Sequence, residues 1–225
     1  RKGVALTGAQ VLELAGRCAP YDTLIVAAAF TGMRWGELVG LRRSDLVFLA
    51  RPFPLVQLVE SLHEVGGKMW HGPPKTPAAV RRITLPPFLV DMLAAHLAGR
   101  DGELVFTETG GQPLRRSNFN RRIWRPSADG TARAHWSRPA DERRQECDPV
   151  HRGLHFHDLR HTHKTWLIED GMPEVVQARR LGHKLKGVQE TYSHVSEEME
   201  RRLLDGLQAR WDALAGDARK RSGER

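Results

Sequence analysis

Cysteine is nearly missing from this chain, which carries only Cys18 and Cys147 in 225 residues. Two cysteines cannot build a disulfide framework or a four-cysteine zinc site, so a reducing, cytoplasmic setting is expected. Long apolar runs are missing too. The longest, around residues 24–30, falls short of the roughly 18 residues that cross a bilayer, and no membrane partner is expected. The opening residues, RKGVALTG, lack both the apolar stretch of a secretory signal and an initiator methionine, which reads as an internal domain or a fragment. Tyrosine is scarce, at Tyr21 and Tyr192 alone. So is lysine: of 35 basic residues only seven are lysine, leaving 28 arginines.

What is present is enough for a core. Apolar residues are 40% and charged residues 28% of the chain, which suits one large domain or two small ones and excludes disorder throughout. The 35 basic residues face 27 acidic ones, for a net charge of +8. Arginine forks match phosphate oxygens, so nucleic acid is the favoured partner, ahead of an acidic membrane surface. A merely solubilising surface accounts for the same arithmetic.

Periodicity and punctuation divide the chain into helices around a small sheet. Thr7 and Gln10 have capping-box spacing and open a helix; a second spans 22–32, ended by Gly32, and a short third spans 34–39. Between 45 and 85 the segments VFLA, LVQLVESLHEV and VRRITLP predict two or three short antiparallel strands, with residues 72–77 as a turn. Helix returns over 87–97, followed by a short strand at 104–106 and a basic helix over 114–124. The polar stretch 126–153 reads as a long loop or insertion. Helices are then expected over 156–169, 173–181, 188–193 and 196–214, the last with Met199, Leu203, Leu207, Trp211 and Leu214 on one face. The fold class is α+β, mostly helical with a small antiparallel sheet.

Four elements carry candidate chemistry. In HFHDLRHTH, His157 and His161 have the i, i+4 spacing that can clamp a metal, but no Glu follows the first His and no Cys is near. His157 and Arg160, at i, i+3, equally form a proton donor beside a fixed positive charge, which suits a phosphodiester; a capped helix start with solvated side chains is the plainer reading. In TGMRWGELVGLRRSDL, Glu37 stands one turn after Arg34 and can hold its guanidinium, although an ordinary surface ion pair explains the spacing as well. Lys75 lies in a proline-rich turn before VRRITLP, placed either to reach into a DNA groove from a strand-pair tip or simply to sit in solvent. Finally Tyr192 follows His183 by nine residues. A phenol becomes a nucleophile only when cations stabilise the charge around it; otherwise its ring simply packs.

In this order and spacing the elements resemble the catalytic domain of the tyrosine recombinases, the phage-integrase family, from Leu6 to about Leu204. Arg34 falls on the family's first arginine and Glu37 on its acidic partner. Lys75 in PPKTPAAVRRITLP falls on the strand-turn lysine, His157 and Arg160 on the His-x-x-Arg box, His183 in LGH on the His-or-Trp position, and Tyr192 in TYSHV on the nucleophile.

The resemblance implies a DNA strand-transferase that uses no metal, ATP or other cofactor. Tyr192 attacks the phosphate to leave a 3′-phosphotyrosyl link, Arg34 and Arg160 bind its free oxygens, Lys75 protonates the leaving 5′-oxygen, and His157 and His183 share proton transfer or phosphate holding. It further implies double-stranded DNA as partner, with Arg42, Arg43, Arg81, Arg82, Arg115, Arg116, Arg121 and Arg122 as candidate DNA contacts. A homotetramer assembled on DNA through the last helix, accessory bending or directionality proteins, and a nucleoid-associated location complete the expectation. Residues 1–5 read as a linker remnant, 6–204 as the catalytic domain and 205–225 as a C-terminal helix with a basic tail. The family's N-terminal core-binding domain is not in this sequence. A type IB topoisomerase-like activity and a non-catalytic DNA-binding protein are the alternatives.

Overall fold

The computed structural model describes residues 3–74, 76–130, 147–184 and 194–223, with side chains of the last segment through residue 216. Helix α1 (Gly8–Arg17) opens on the expected capping box: Thr7 Oγ1 accepts from the Gln10 backbone at 3.2 Å, and Gln10 Oε1 accepts from the Thr7 backbone at 3.0 Å. Helix α2 (Asp22–Thr31) is buried at every residue from Thr23 onward. Its sequence is apolar on all sides, as a helix enclosed by other elements requires. Gly32 ends it in the left-handed conformation, and the chain turns into α3 (Trp35–Val39).

Five strands follow where two or three are expected. β1 (Leu46–Val47), β2 (Leu55–Leu58) and β5 (Arg81–Thr84) form one antiparallel sheet in the order β1-β2-β5. β3 (Ser61–Val65) and β4 (Lys68–Gly72) form a separate hairpin turning at Gly66 and Gly67, both with positive φ. The apolar run LVQLVESLHEV is thus two strands of different sheets, broken at Val59 and Glu60. β4 gives little sequence signal because Lys68 to His71 alternate between exposed and half-buried positions and the one buried residue is Gly72, a weak period-2 pattern. Lys75, expected at the tip of a strand pair, lies outside the described residues. The tip of the strand pair β3-β4 is Gly66-Gly67, and β5 pairs with β2 rather than with β4.

Two further expectations are corrected. Residues 104–106 form no strand: Leu104 makes an isolated bridge to Arg42. The basic helix runs past Trp124, as α5 (Arg116–Phe119), a π-helical turn (Asn120–Trp124) and α6 (Arg125–Asp129). Pro126 has no N–H to donate back one turn, and the wider π turn just before it absorbs that break. The polar stretch therefore begins after Asp129; its centre, 131–146, and the helix expected at 188–193 lie outside the described residues.

Helix α4 (Pro87–Leu97), α7 (Asp158–Glu169) and α8 (Glu174–Leu181) pack round α2 and the sheet, and α9 (Glu197–Gly223) crosses α1 and α4. The apolar stripe of α9 is used within the chain. Leu203 and Leu207 are buried, Trp211 stacks on Phe88 at 4.3 Å, and Leu214 lies over Gly8. Phe30 meets Phe88, Trp166 and Trp211, so one aromatic cluster ties α2, α4, α7 and α9 together. Each of these large side chains contributes roughly 2–3 kcal/mol by burial. α9 passes through Leu204 without a break.

Candidate active site

The corner between α2 and α3 sets the first arginine. Arg34 is the N-cap of α3, and two glycines one turn apart, Gly36 and Gly40, let that helix lie directly on β3. A Cβ on either would stand 2.6–2.7 Å from the Leu62 backbone, so only glycine permits this approach. The Glu37 side chain, 3% exposed, turns back to Arg34. Its Oε1 accepts from Arg34 Nη1 at 2.9 Å and its Oε2 from the Arg34 backbone N–H at 2.8 Å. The i, i+3 contact expected from sequence is therefore present, but it is not alone. Arg81, reaching across from β5, donates Nη1 to Oε1 and Nη2 to Oε2 of the same carboxylate, each at 2.9 Å. Burial alone would raise the Glu37 carboxyl; the hydrogen bonds and charge of Arg81, then those of Arg34, outweigh it and hold Glu37 below the usual carboxylate range.

Arg160 comes from the first turn of α7 and is buried. Its Nη1 donates to the Gly32 carbonyl at 2.6 Å, and its Nη2 donates to the Leu181 carbonyl and, at 2.9 Å, to Nε2 of His183. A guanidinium only donates, so His183 Nε2 is an acceptor and the ring hydrogen sits on Nδ1. Burial, then the charges of Arg160 and Arg34, bring His183 down to about 4, so the ring is neutral at ordinary pH. Burial and then the charge of Arg34 bring Arg160 itself down to about 9. Among the described residues, none of the hydrogen bonds of Arg160 ends on a carboxylate. Such a site favours an anion.

His157 caps α7 with its ring open to solvent, perpendicular to His161 with ring centres 5.1 Å apart. Burial of its inner side, then His161, Arg160 and Arg34, lowers its pKa. Arg34, Glu37 and His157 line one cleft of about 960 Å³, together with Pro74 and Thr76 on either side of Lys75. Lys75 and Tyr192 themselves lie outside the described residues. Among the described residues no group of three metal-ligating side chains occurs, so His157 and His161 form a pair of donors only.

The candidate DNA contacts separate into two sets. Arg82, Arg116, Arg121 and Arg122 are exposed. Arg42 is held by Glu60 and Glu103, Arg43 by the carbonyls of Leu97 and Arg100, and Arg115 by Glu64 and the Gly67 carbonyl. Arg81 is corrected outright: it is buried on Glu37 and on the carbonyls of Arg180 and Ala79. The sequence holds a signal for this, because on a strand Arg81 shares the face of Ile83, which is core. Arg180 is a residue that sequence reasoning misses as well. It is buried beside His163, donating Nε to His163 Nε2 at 2.8 Å and Nη2 to the Phe30 carbonyl at 3.0 Å. Its place one turn after buried Val176 on α8 gives the same warning.

Comparison with known proteins identifies the family and the fold. The model of the phage integrase family matches residues 6–199. The integrase of Mycobacterium phage L5 is 29% identical over 185 residues, 80% of this chain and 44% of that protein. The putative prophage phiRv2 integrase of Mycobacterium tuberculosis is 27% identical over 191 residues, 82% of this chain and 45% of that protein. This chain thus spans about half the length of the curated relatives it matches. Among solved structures, the Tn1549 transposon integrase in complex with transposon right end DNA superposes with a TM-score of 0.62 at 20% identity, over 91% of this chain and 66% of that one. At that identity the likeness is one of fold, that of tyrosine-recombinase catalytic domains.

Proposed function

This chain belongs to the phage integrase family, and on that premise we propose that it is the catalytic part of a site-specific DNA recombinase acting through a 3′-phosphotyrosyl intermediate. The observation that carries the reading is the electrostatic one: Arg160 is buried with no carboxylate on it among the described residues, and Arg34 is aimed into the same region by Glu37. Two cations set before the substrate arrives stabilise the charge that grows on a phosphorus under attack, without reorganising as it grows. Tyr192 Oη forms the new bond to phosphorus while the bond to the 5′-oxygen breaks. The leaving oxygen takes its proton from Lys75, and attack by a 5′-hydroxyl on the phosphotyrosine reverses the step in a new strand. Because the DNA bond is kept as a phosphoester, no ATP enters the balance.

We give the two histidines different jobs. His183, neutral and carrying its hydrogen on Nδ1, serves as a hydrogen-bond donor to a phosphate oxygen. His157, also lowered and open to the cleft, accepts the proton of the attacking phenol in this reading. Double-stranded DNA is the partner in this reading, which the Tn1549 integrase supports by its complex with transposon right end DNA. Integration or excision of a phage or mobile element is the role. Assembly into a homotetramer on DNA through α9 requires that helix to leave the aromatic cluster it fills in its own chain.

The test uses a nicked, end-labelled duplex bearing the element's attachment region, incubated in EDTA with the wild-type chain or with Tyr192→Phe and resolved on a denaturing gel. A covalent protein–DNA adduct with wild type only is expected. Adducts with both would remove Tyr192 as the nucleophile, and adducts with neither, in the full-length protein as well, would leave a DNA-binding protein without cleavage.

A further inference from the structure

We propose that Arg81 is a positioning residue of this site, which clamps both oxygens of Glu37 and so fixes the direction in which Arg34 presents its charge. The inference rests on reading Arg34 as a phosphate-binding arginine.

Glu37 receives four donors. Oε1 takes Nη1 of Arg34 and Nη1 of Arg81; Oε2 takes the Arg34 backbone N–H and Nη2 of Arg81. A carboxylate offers about four such places, so all are filled. Arg34 by itself would hold the buried carboxylate from one side only, by a side chain that is itself 37% exposed. The rigidity comes from behind. The side chain of Arg81 is 4% exposed, and its remaining hydrogen bonds run to the Arg180 carbonyl at 2.8 Å and the Ala79 carbonyl at 2.9 Å. Its backbone is in register with Leu58 on β2. The planar fork thus ties the sheet to the first turn of α3, and a fork grips a carboxylate in one orientation where an ammonium does not.

Arg81 does not line the cleft, so it acts through Glu37 rather than on substrate. Without it, the buried carboxylate would face a single half-exposed cation, and burial would push it toward the protonated form. A protonated Glu37 gives Arg34 a weaker and less directed bond. The same network continues inward. Arg180, whose carbonyl receives Arg81, donates Nη1 to the Thr84 carbonyl at 3.0 Å, and the Thr84 hydroxyl donates to Glu200 of α9 at 2.7 Å.

Arg81→Gln and Arg81→Lys in the full-length protein test the assignment by two readouts. The first is single-turnover adduct formation at saturating DNA from pH 5 to 8, with the DNA Kd measured alongside. Arg81→Gln is expected to slow adduct formation on the order of 100-fold. Its DNA Kd should stay within about threefold of wild type, and its acid-side decline should begin about one pH unit higher. Arg81→Lys should recover part of the rate. A folded Arg81→Gln with wild-type rate and pH profile overturns the proposal. So does a loss confined to Kd, which would make Arg81 a DNA contact after all. Should Arg81→Gln fail to fold, Arg81→Lys carries the same measurement, because one ammonium cannot span both oxygens. The second readout is the titration of the Glu37 carboxyl by carbon-13 NMR, which needs no activity. If wild type forms no adduct, the functional reading fails, and the positioning role is still decided by whether the carboxyl moves up in these variants or stays.

Discussion

Arg81 and Arg82 are neighbours on β5 and point into different worlds. Arg81 is buried on a carboxylate and two carbonyls, whereas Arg82 stands exposed on the opposite face of the strand. The contrast extends through the molecule. Arg81, Arg160 and Arg180 lie inside, bonded to backbone carbonyls of Gly32, Phe30, Thr84, Ala79, Arg180 and Leu181, while Arg82, Arg116 and Arg121 face water. Buried guanidiniums must have their donors satisfied and keep their charge at ordinary pH, so they act as fixed girders and fixed positive poles. Exposed ones supply field and counterion release, each nearly independent of the others. A high arginine count thus joins two populations that differ in energetics and in job.

The sharpest way to break this comparison is at Arg160. Arg160→Lys keeps the charge and removes the fork that reaches Gly32, Leu181 and His183 together. Adduct formation at saturating DNA is expected to fall by roughly 10²–10³-fold, with DNA affinity changed only severalfold. Equal losses in rate and affinity, from gel quantitation and anisotropy, would place Arg160 with the exposed set instead.

How much of this is legible in the sequence follows the same division. The bond between Arg34 and Glu37 can be read from helical spacing, and α2 from its all-round apolar sequence, because both depend on local geometry. The sheets read short because β4 is half exposed and because β2 and β3 run together in one apolar stretch although they belong to different sheets. Strand partnership is a long-range choice that pattern alone does not carry. Arg81 misleads for a related reason: net charge draws attention to the arginine pair, while the alternation that separates its members is the quieter signal. Arg180 depends on three distant partners, His163, Phe30 and Thr84, which only the fold brings together.

A second, smaller effect tests the interior through pH. His163 is fully buried against Arg180, and burial first, then that charge, holds its pKa well below the usual range. The folded ring stays neutral while the unfolded one takes a proton below about pH 6.5. The unfolded state therefore binds more protons as pH falls, and the folded state loses stability as pH drops below about 6.5. Between pH 6.5 and 5.0 His183, at about 4, adds in the same direction, as do His96 and His157. Glu37, lowered rather than raised, loses its contribution only at more acidic pH and lies outside this window. Urea titrations at the two pH values should show the drop in wild type and a smaller one in His163→Gln, which is less stable at pH 6.5 to begin with. An equal drop in both would mean that the buried pair is not what acid attacks.

The smallest effects belong to the exposed set, and they sharpen the comparison by their sameness. Arg82→Gln and Arg121→Gln remove a charge whose side chain is exposed, so stability should stay within about 0.5 kcal/mol of wild type. If each side chain neutralises one phosphate, the slope of log K against log salt should shrink by about 0.9 per substitution, additively in the double variant, while the rate at saturating DNA is unchanged. Fluorescence anisotropy over a salt series reads the slope, and the adduct gel reads the rate. A substitution that leaves the slope alone identifies an arginine that merely solubilises its surface, and one that lowers the saturated rate belongs with Arg81, whatever its exposure. The two populations are therefore separable by experiment without reference to burial: the interior set changes rate and pH profile, and the exterior set changes affinity and salt dependence.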